Sequence, residues 1–588
     1  MSSSLFRTKN IDKIISDAAI AEESAHSSGG ALKRVLTVKD LTFFGIAAII
    51  GAGSFSSLGE ACFKGGPGVV ILFVICGIAC AFTAFCYSEF ASRIPVAGSA
   101  YTYAYASFGE LFAWIIGWAL VMEYSIGNIY VAYSWSDYFT SFLHKVGVSI
   151  PDYLTCSYTE AHKAVLDQST NDELINAWKT APVVGSLRII FDLPALVINM
   201  LITYLVYRGI KESRNFSNVM VILKLMVVGL VIIVGGYYIF ANHSFNNWFP
   251  ENDVHIKSFM PNGFGGVMMA VSGVFFAYIG FDAVSVLAEE SKNPQRDLPR
   301  GMALSLVICT IVYILLALVL TGVTNYRNFE NVGDPLARIF EAKFLNIGWM
   351  QFLVSICAVV AMTSVLLVFQ MGQPRIWMSM SRDGLLPPVF QKIHPKYKTP
   401  SFATILTGLV VGVPILFTDK NFVLDFTSIA TLFAFVLVCG GVLLIPRKEK
   451  VAGRFTIPYI NAKIIFPLLI LGGIIVLSVF SKGYFQGLFN FDFSNNADYV
   501  SGKISFMDAA IPNISLIIFW GVCIVLSIIT FIKNYSLIPL MGLSTCLYLL
   551  TGMTKSNWAW FLSWLLIGLV VYFLYGRKKS KLAAESKI

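Results

Sequence analysis

Apolar stretches of about twenty residues, the length of a membrane-spanning helix, follow one another along most of the chain. At 1.5 Å per residue, such a helix crosses the roughly 30 Å hydrocarbon core of a bilayer. The ten-residue alternation of a membrane β-barrel strand is not found in the sequence. Because only helices and closed barrels span a bilayer, the pattern predicts an all-α membrane protein with 14 transmembrane helices. The stretches are centred near residues 51, 80, 126, 198, 228, 277, 312, 360, 410, 434, 472, 522, 544 and 566.

The first and sixth stretches each carry an interruption near the middle. Gly51-Ala52-Gly53 lies in the first, and glycine is a poor helix former that leaves the backbone accessible. Gly280 lies in the sixth and precedes Asp282, a residue type preferred at helix N-caps. Paired interruptions five helices apart are typical of inverted-repeat transporters with a site at the bilayer midplane. The alternative interpretation is that these glycines only allow close helix packing.

The interruptions divide the chain into two repeats. They predict a ten-helix inverted-repeat (5+5) core with broken helices 1 and 6, plus four appended helices. The excess of Lys and Arg in alternate loops predicts that both termini are cytoplasmic. The predicted segments are a cytoplasmic N-terminal tail (1–36), a first five-helix repeat (37–241), a second five-helix repeat (242–445), the appended helices 11–14 (446–575) and a basic cytoplasmic tail (576–588).

Composition agrees with a membrane location. Of the 588 residues, 56% are hydrophobic and only 13% are charged, against roughly 25% charged in soluble domains. The net charge of +9 needs no anionic partner, because the basic loops that orient the helices account for it. We therefore expect the lipid bilayer as partner and no nucleic acid.

Residue types that carry cofactor or catalytic chemistry are placed unfavourably for it. Most of the ten cysteines lie in or beside apolar stretches, where Cys behaves as a small hydrophobe. The six histidines fall in predicted loops or termini, so no helix-borne ligand pair for haem, zinc or copper is predicted. The sequence contains neither a phosphate-binding loop nor a GxSxG elbow. We expect no cofactor, no metal and no enzymatic activity.

Polar side chains inside the predicted helices are candidates for function. Lys224 and Glu123 lie about 15 Å and about 18 Å from the inner ends of their helices, the depth of both interruptions. Ionisable residues at that depth are costly and usually functional. The alternative is a buried ion pair that only fixes helix packing. Asn128, five residues beyond Glu123, either lines a pocket or forms an interhelical hydrogen bond.

Four motifs together resemble the amino acid–polyamine–organocation superfamily, and more narrowly its cationic amino acid transporter family. They are IIGAGSF (49–55), PVAGSAYTYAY (95–105), FFAYIGFDAVSVLAEESKNPQRDLPRG (275–301) and GQPRIWMSMSRDGLLP (372–387). The resemblance implies an integral protein of the cell (inner or plasma) membrane. It also implies secondary active transport of L-amino acids by alternating access, commonly coupled to protons.

The resemblance also implies a substrate site at the two interruptions. In that family the substrate carboxylate meets backbone N–H groups of the first break, whose positive dipole end suits an anion. The substrate ammonium meets carbonyl groups left open where half-helices end. The matching N–H groups belong to Gly51, Ala52 and Gly53, and the matching carbonyls to Ile49, Phe276 and Ile279.

Two further sets of residues follow from the resemblance. Lys224 matches a family lysine involved in coupling, with Thr363 and Ser364 as its hydroxyl neighbours. Leu367 and Phe369 fall where family members line the side-chain end of the pocket. Both are apolar, which leaves a guanidinium little to bond with unless the buried glutamate reaches it. We therefore favour small or medium neutral amino acids over cationic ones as substrates.

Other functional classes stay open from sequence. An amino-acid-binding membrane sensor without net transport would show binding and no flux, although no soluble signalling domain is evident in the sequence. An intramembrane enzyme would have only Glu123, Lys224 and Asp282 for its chemistry. A channel would show single-channel currents. The expected partners of the favoured class are an L-amino acid, protons and lipid.

Overall fold

A computed structural model provides the fold. It describes residues 5–11, 14, 36–94, 99–166, 172–185, 187–209, 214–251, 256–285, 291–397, 399–444, 455–480, 483–494 and 505–585. Most of the predicted N-terminal tail (1–36) lies outside the described residues, as does the junction around 446–454.

The described chain is almost entirely helical. Its one sheet is a two-stranded hairpin of β1 (Val183–Val184) and β2 (Leu187–Arg188). The helices of the first half are α1 Val38–Ile49, α2 Leu58–Gly65, α3 Val69–Arg93, α4 Ser99–Ser107, α5 Glu110–Lys145, α6 Tyr158–Leu166, α7 Asp172–Thr180, α8 Leu193–Arg208, α9 Arg214–Ala241, α10 Gly263–Met269 and α11 Val271–Phe276. The remaining helices are α12 Pro294–Val323, α13 Pro335–Arg338, α14 Gly348–Arg382, α15 Ser401–Ile415, α16 Lys420–Leu444, α17 Ala462–Phe480, α18 Tyr484–Leu488, α19 Phe506–Ile532, α20 Leu537–Leu550, α21 Lys555–Val571, α22 Arg577–Lys579 and α23 Lys581–Glu585.

Membrane-spanning character follows from length and composition. Within the described ranges, nine helical segments are long and apolar enough to cross a bilayer, and α8, α15 and α20 are shorter apolar helices. The central helix is α5, because 89% of its most apolar 18-residue stretch is buried inside the protein. In α17 and α19 only 11% of the corresponding stretch is buried, so these helices expose apolar side chains. The prediction of an all-helical membrane protein is thereby confirmed.

Both predicted interruptions occur in the structure. The helix α1 begins with a capping box between Thr37 and Asp40 and ends before Ile50, whose backbone is extended. The chain then restarts as a π-helix at Gly53–Ser57 that continues into α2. In the sixth stretch, α11 ends at Phe276, residues 277–280 form turns, and 282–285 form a single 3₁₀ turn.

The two interruptions are in direct contact. A Cβ atom on Gly53 would lie 2.5 Å from Cα of Ala277, in the turn that follows α11. A Cβ atom on Gly280 would lie 3.0 Å from the backbone of Ala48, one residue before the end of α1. Gly280 also has φ of 116°, a conformation that only glycine adopts without strain. Neither Gly53 nor Gly280 leaves room for a side chain, and the backbone conformation of Gly280 also favours glycine.

Alanine at Gly53 or Gly280 should lower the thermal unfolding midpoint of the purified protein, because the added methyl group meets the Ala277 or Ala48 backbone. Overpacking of this kind costs about 1–3 kcal/mol. Gly229→Ala in α9 is the matched control, since nothing lies within 4 Å of its added Cβ and alanine favours a helix. Equal midpoints for all three variants would show that the two interruptions can separate without cost.

Candidate functional site

The first interruption leaves backbone N–H groups open. Within the described residues, no hydrogen-bond acceptor is found for the N–H groups of Gly51, Ala52 and Gly53. The Gly51 carbonyl, in contrast, accepts bonds from the Ser54 and Phe55 N–H groups at 3.1 Å and from Ser54 Oγ at 3.0 Å. All these residues are buried. Open N–H groups at the start of a half-helix form a site suited to an anion.

Lys224 lies at the other side of the same break. Its Nζ atom donates to the carbonyls of Ala47 at 3.3 Å and Ile50 at 3.5 Å, and to Ser364 Oγ at 2.9 Å. The residue is only 1% exposed. The last carbonyls of a helix attract a cation, so this ammonium occupies a favourable position at the end of α1. It thereby links α9, α1 and α14.

A small cavity of about 10 Å³ adjoins this lysine. A space of that size holds about one water molecule. Lys224 and Ser364 line its polar side, and Phe44, Ala47 and Val221 are among its apolar lining residues. The site around Lys224 is therefore tightly packed in this conformation.

Two of the carbonyls assigned from the resemblance already accept a hydrogen bond. Tyr313 Oη donates to the Ile49 carbonyl at 2.9 Å, and the Ile279 N–H donates to the Phe276 carbonyl at 3.1 Å. Each carbonyl oxygen retains a second lone pair. The sequence did not indicate Tyr313, because a tyrosine in an apolar helix of this aromatic-rich chain carries no distinguishing signal.

Glu123 and Lys224 do not form the ion pair that the sequence left open, as judged from the contacts among the described residues. The Glu123 side chain is 4% exposed and lies near Thr431 and Asp282. Asp282 in turn faces the backbone N–H groups of Gly280 and Ala283, as expected of a residue that caps a turn. Two buried carboxyl groups thus lie within electrostatic range of each other near the second interruption.

Asn128 contacts α14 through an amide. Its Nδ2 atom donates to Gln370 Oε1 at 2.8 Å, while its Oδ1 atom has no partner among the described residues. Close by, the Phe369 ring packs edge-on against Tyr124 with 5.6 Å between centroids. Leu367, on the same helix, is partly buried against the core. Thr363 Oγ1 accepts a bond from Trp135 Nε1 at 2.9 Å, so its hydroxyl faces α5.

An aromatic and ionic layer lies beside Phe276 at the second interruption. The Phe276 ring packs edge-on against Tyr130 at 4.6 Å, and Lys420 Nζ lies 5.6 Å from the Tyr130 ring centre. Lys420 also forms an ion pair with Asp137. This layer joins α11, α5 and α16. From sequence, Lys420 resembled an ordinary interfacial lysine at a helix start, and only tertiary packing reveals its role.

The segment that carries α6 and α7 covers this layer. Glu160 in α6 accepts a hydrogen bond from the Lys420 N–H at 2.9 Å and from the Ser157 N–H at 3.1 Å. Burial raises the pKa of the Glu160 carboxyl above its ordinary value, and these two N–H groups oppose the rise. Lys163 on the same helix pairs with Asp419 at 2.7 Å. The covering segment is therefore attached to the start of α16.

Comparison with known proteins gives consistent matches over nearly the full chain. The family model described as "Amino acid permease" matches residues 36–497, and one described as "C-terminus of AA_permease" matches 535–580. Branched-chain amino acid permease BcaP of Bacillus subtilis is 37% identical over 582 residues, covering 99% of this chain and 100% of that protein.

Two further relatives have names that state different substrates. The methylthioribose transporter of Bacillus subtilis is 34% identical over 582 residues, covering 99% of each chain. The vacuolar cationic amino acid transporter 2 of Arabidopsis thaliana is 30% identical over 642 aligned residues, covering 99% of this chain and 93% of that protein. The similarity therefore spans relatives with neutral, cationic and sugar-containing substrates in their names.

Lys420→Gln should lower the thermal unfolding midpoint more than Lys163→Gln, although both changes remove an ion pair at the same helix start. The Lys420 side chain is 16% exposed and that of Lys163 is 57% exposed. The Lys420–Asp137 pair is partly buried, so breaking it should cost more than the about 0–1 kcal/mol of an exposed pair and less than the about 3–5 kcal/mol of a fully buried one. Equal midpoints for the two variants would mean that the contact between Lys420 and Asp137 does not hold the layer together.

Proposed function

The chain belongs to the amino acid permease family, whose members are transporters and not enzymes, and from this premise we propose that it is a secondary active transporter of L-amino acids. Amino acid transport agrees with the names of two relatives described above, the branched-chain amino acid permease and the cationic amino acid transporter. The observation that carries the proposal is the group of open N–H groups at Gly51–Gly53, opposite Lys224 at the end of α1.

The proposed architecture has fourteen crossings. The nine long segments, the three shorter apolar helices and the two interrupted helices together give this number. The first ten would form two inverted five-helix repeats, at 37–241 and 242–445, with the last four appended. Both termini would lie in the cytoplasm, because the basic segments lie on that side.

The proposed substrate site lies between the two interruptions. The substrate carboxylate would accept hydrogen bonds from the N–H groups of Gly51, Ala52 and Gly53, which lack acceptors within the described chain. The substrate ammonium would bind the carbonyls of Phe276 and Ile279, after the contact between α11 and Tyr130 opens. Because the site is packed in this conformation, entry requires rearrangement of the two helix breaks, which is alternating access.

Lys224 is the proposed coupling residue. A protonated lysine amine donates three hydrogen bonds, and the three oxygen atoms around Nζ belong to Ala47, Ile50 and Ser364. Loss of the proton removes the charge that these carbonyls attract and loosens the link between α9 and α1. Movement of α1 would then accompany proton release. Proton transfer would thereby be coupled to opening of the substrate site between the two interruptions. Thr363 would support the neighbouring turn of α14 through Trp135.

The proposed substrates are neutral amino acids with apolar side chains. Phe369 and the edge of Tyr124 form the proposed apolar wall. Leu367, two residues earlier on α14, points to another face of that helix and would contribute at the margin of the pocket. A cationic side chain placed there would need a partner, and Glu123 lies with Asp282 instead. Asn128, bonded to Gln370, would contribute its amide edge to the side of the pocket. The name of the Bacillus subtilis branched-chain permease agrees with this choice.

A ligand screen by thermal unfolding tests the substrate class. Valine, leucine or isoleucine at 100 times its dissociation constant should stabilise the protein by about 2.7 kcal/mol, because ligands bind only the folded state. Arginine and lysine should give no shift, and methylthioribose serves as a chemically distinct comparison. A larger shift with arginine would contradict the apolar pocket, and a shift with methylthioribose alone would contradict amino acid transport.

Transport in liposomes tests the coupling. An inward proton gradient should drive accumulation of the radiolabelled amino acid identified by the screen, and Lys224→Met should abolish this stimulation, because methionine cannot carry a proton. Lys463→Met, at the partly exposed start of α17, is the matched control and should behave as the unchanged protein. If Lys224→Met still accumulates substrate with the gradient, coupling at this residue is wrong. If substrate binds but no flux occurs in the unchanged protein, the chain is a sensor.

A further inference from the structure

A groove of about 470 Å³ runs between α8 and α15 on the outer surface of the bundle. Its volume falls in the range of roughly 300–1,000 Å³ that is usual for ligand pockets. Met200 and Leu409 line its rims and are 58% and 57% exposed, so in a bilayer the groove faces the hydrocarbon. We call this feature the α8–α15 groove.

Two glycines make the groove deep. Gly408 and Gly412 are one turn apart on α15, where α8 approaches closely. A Cβ atom on Gly408 would lie 2.5 Å from the Thr203 side chain, and one on Gly412 would lie 2.9 Å from Asn199 Nδ2. The floor is therefore formed by backbone and short side chains, while longer apolar side chains form the walls.

The amide and hydroxyl donors named at the floor form hydrogen bonds inside the protein. Asn199 Nδ2 donates to the Gly408 carbonyl at 3.1 Å, and Thr203 Oγ1 donates to the Asn199 carbonyl at 2.7 Å. Gln370 Nε2 donates to Thr203 Oγ1 at 2.7 Å. An apolar chain can lie in the groove without leaving these groups unpaired, which would otherwise be costly.

A basic and aromatic cluster closes one end of the groove. The Arg208 guanidinium lies 5.7 Å from the ring centre of Tyr204 and 5.1 Å from that of Tyr397, and its Nη1 atom donates to Tyr397 Oη at 3.3 Å. Lys396 Nζ lies 5.6 Å from the Tyr397 ring, and the His394 ring stacks on Tyr397 at 4.7 Å. Arg208 and Lys396 are both exposed.

The exposed charged side chains that the structure describes in this cluster are basic. The sequence contains no Asp or Glu in residues 193–209 or 384–418, which supply both helices and the loop that joins α14 to α15. The exposed Arg208 and Lys396 contribute a positive potential that attracts anions. The end of the groove is thus complementary to a negatively charged group.

The groove has the length of one membrane leaflet. From Leu196 to Tyr207 the helix α8 rises about 16 Å, against about 15 Å for half of the hydrocarbon core. The basic end is the end at which the termini meet, because Lys581 N–H donates to the Asp383 carbonyl at 3.1 Å beside the same loop. A lipid there would belong to the leaflet on the terminal side.

From the match of an apolar groove, a satisfied floor and a positive cap, we propose that the α8–α15 groove binds an anionic phospholipid. One acyl chain lies along the groove over Gly408 and Gly412. The phosphate accepts hydrogen bonds from Arg208 and Lys396. The aromatic rings of Tyr204, Tyr207 and Tyr397 sit at headgroup level, where tyrosine is enriched in membrane proteins.

Native mass spectrometry of the purified full chain tests this proposal. Phosphatidylglycerol and phosphatidylcholine with identical acyl chains are titrated separately, and the unchanged protein should bind phosphatidylglycerol more tightly. The double variant Arg208→Gln, Lys396→Gln should weaken phosphatidylglycerol binding by about 30-fold, from roughly 1 kcal/mol per basic residue. It should weaken phosphatidylcholine binding by a smaller factor, because the choline cation offsets the charge of that phosphate, so the preference for phosphatidylglycerol should be lost. The single variant Leu409→Trp should weaken binding of both lipids, because the larger ring fills the groove.

The matched control is the double variant Lys578→Gln, Lys579→Gln, which removes the same charge from exposed residues of α22 at the same end. It should keep the preference for phosphatidylglycerol. If this control loses as much phosphatidylglycerol binding as the Arg208 and Lys396 variant, general positive charge explains the binding and the proposal is overturned. If the unchanged protein does not prefer phosphatidylglycerol, the lipid contact is unspecific and the proposal is also overturned. Appearance of a dimer that Leu409→Trp abolishes would also overturn it, because a second copy would then occupy the groove.

Discussion

Two backbone segments that approach more closely than side chains allow determine the geometry at the centre of this protein. Gly53 lies against Ala277, and Gly280 lies against Ala48, with no room for a Cβ atom at either glycine. The contact brings together the end of α1, the start of the π-helix and the turn that follows α11. Because the N–H groups of Gly51, Ala52 and Gly53 lack acceptors within the described chain, the contact also offers a polar backbone surface inside an apolar bundle.

Charge at this centre is arranged by helix ends more than by ion pairs. Lys224 is surrounded by the last carbonyls of α1 and a serine hydroxyl, while the N–H groups beyond the break are left open. The two carboxyl groups of Glu123 and Asp282 lie at the second break. Ion pairing is instead used at the edge, where Lys420 meets Asp137 under the segment of α6 and α7. At the centre, the backbone groups of the helix ends provide the main polar interactions. At the edge, the ion pair between Lys420 and Asp137 provides them.

Sequence patterns predicted those features that depend on local chemistry. Both interruptions follow from glycine within apolar helices. The family resemblance implied hydroxyl neighbours for Lys224 at Thr363 and Ser364; Ser364 does bond to it, whereas Thr363 bonds to Trp135. Contacts set by tertiary packing could not be anticipated. The hydroxyl of Tyr313 on Ile49, the proximity of Glu123 to Asp282, and the ring of Tyr130 beneath Lys420 each join residues far apart in sequence. The groove over Gly408 is of the same kind, because either helix alone appears as an ordinary apolar segment.

The cavity of about 10 Å³ beside Lys224 has a consequence for electrical insulation. Proton hopping through water needs a continuous file of hydrogen-bonded molecules, and a cavity for about one water cannot supply such a file. If Lys224 is the coupling residue proposed above, this cavity alone gives its proton no water path, so release would have to await rearrangement of the surrounding helices. Such a conformation would then limit the leak of charge across the membrane even with an ionisable group deep within the bilayer.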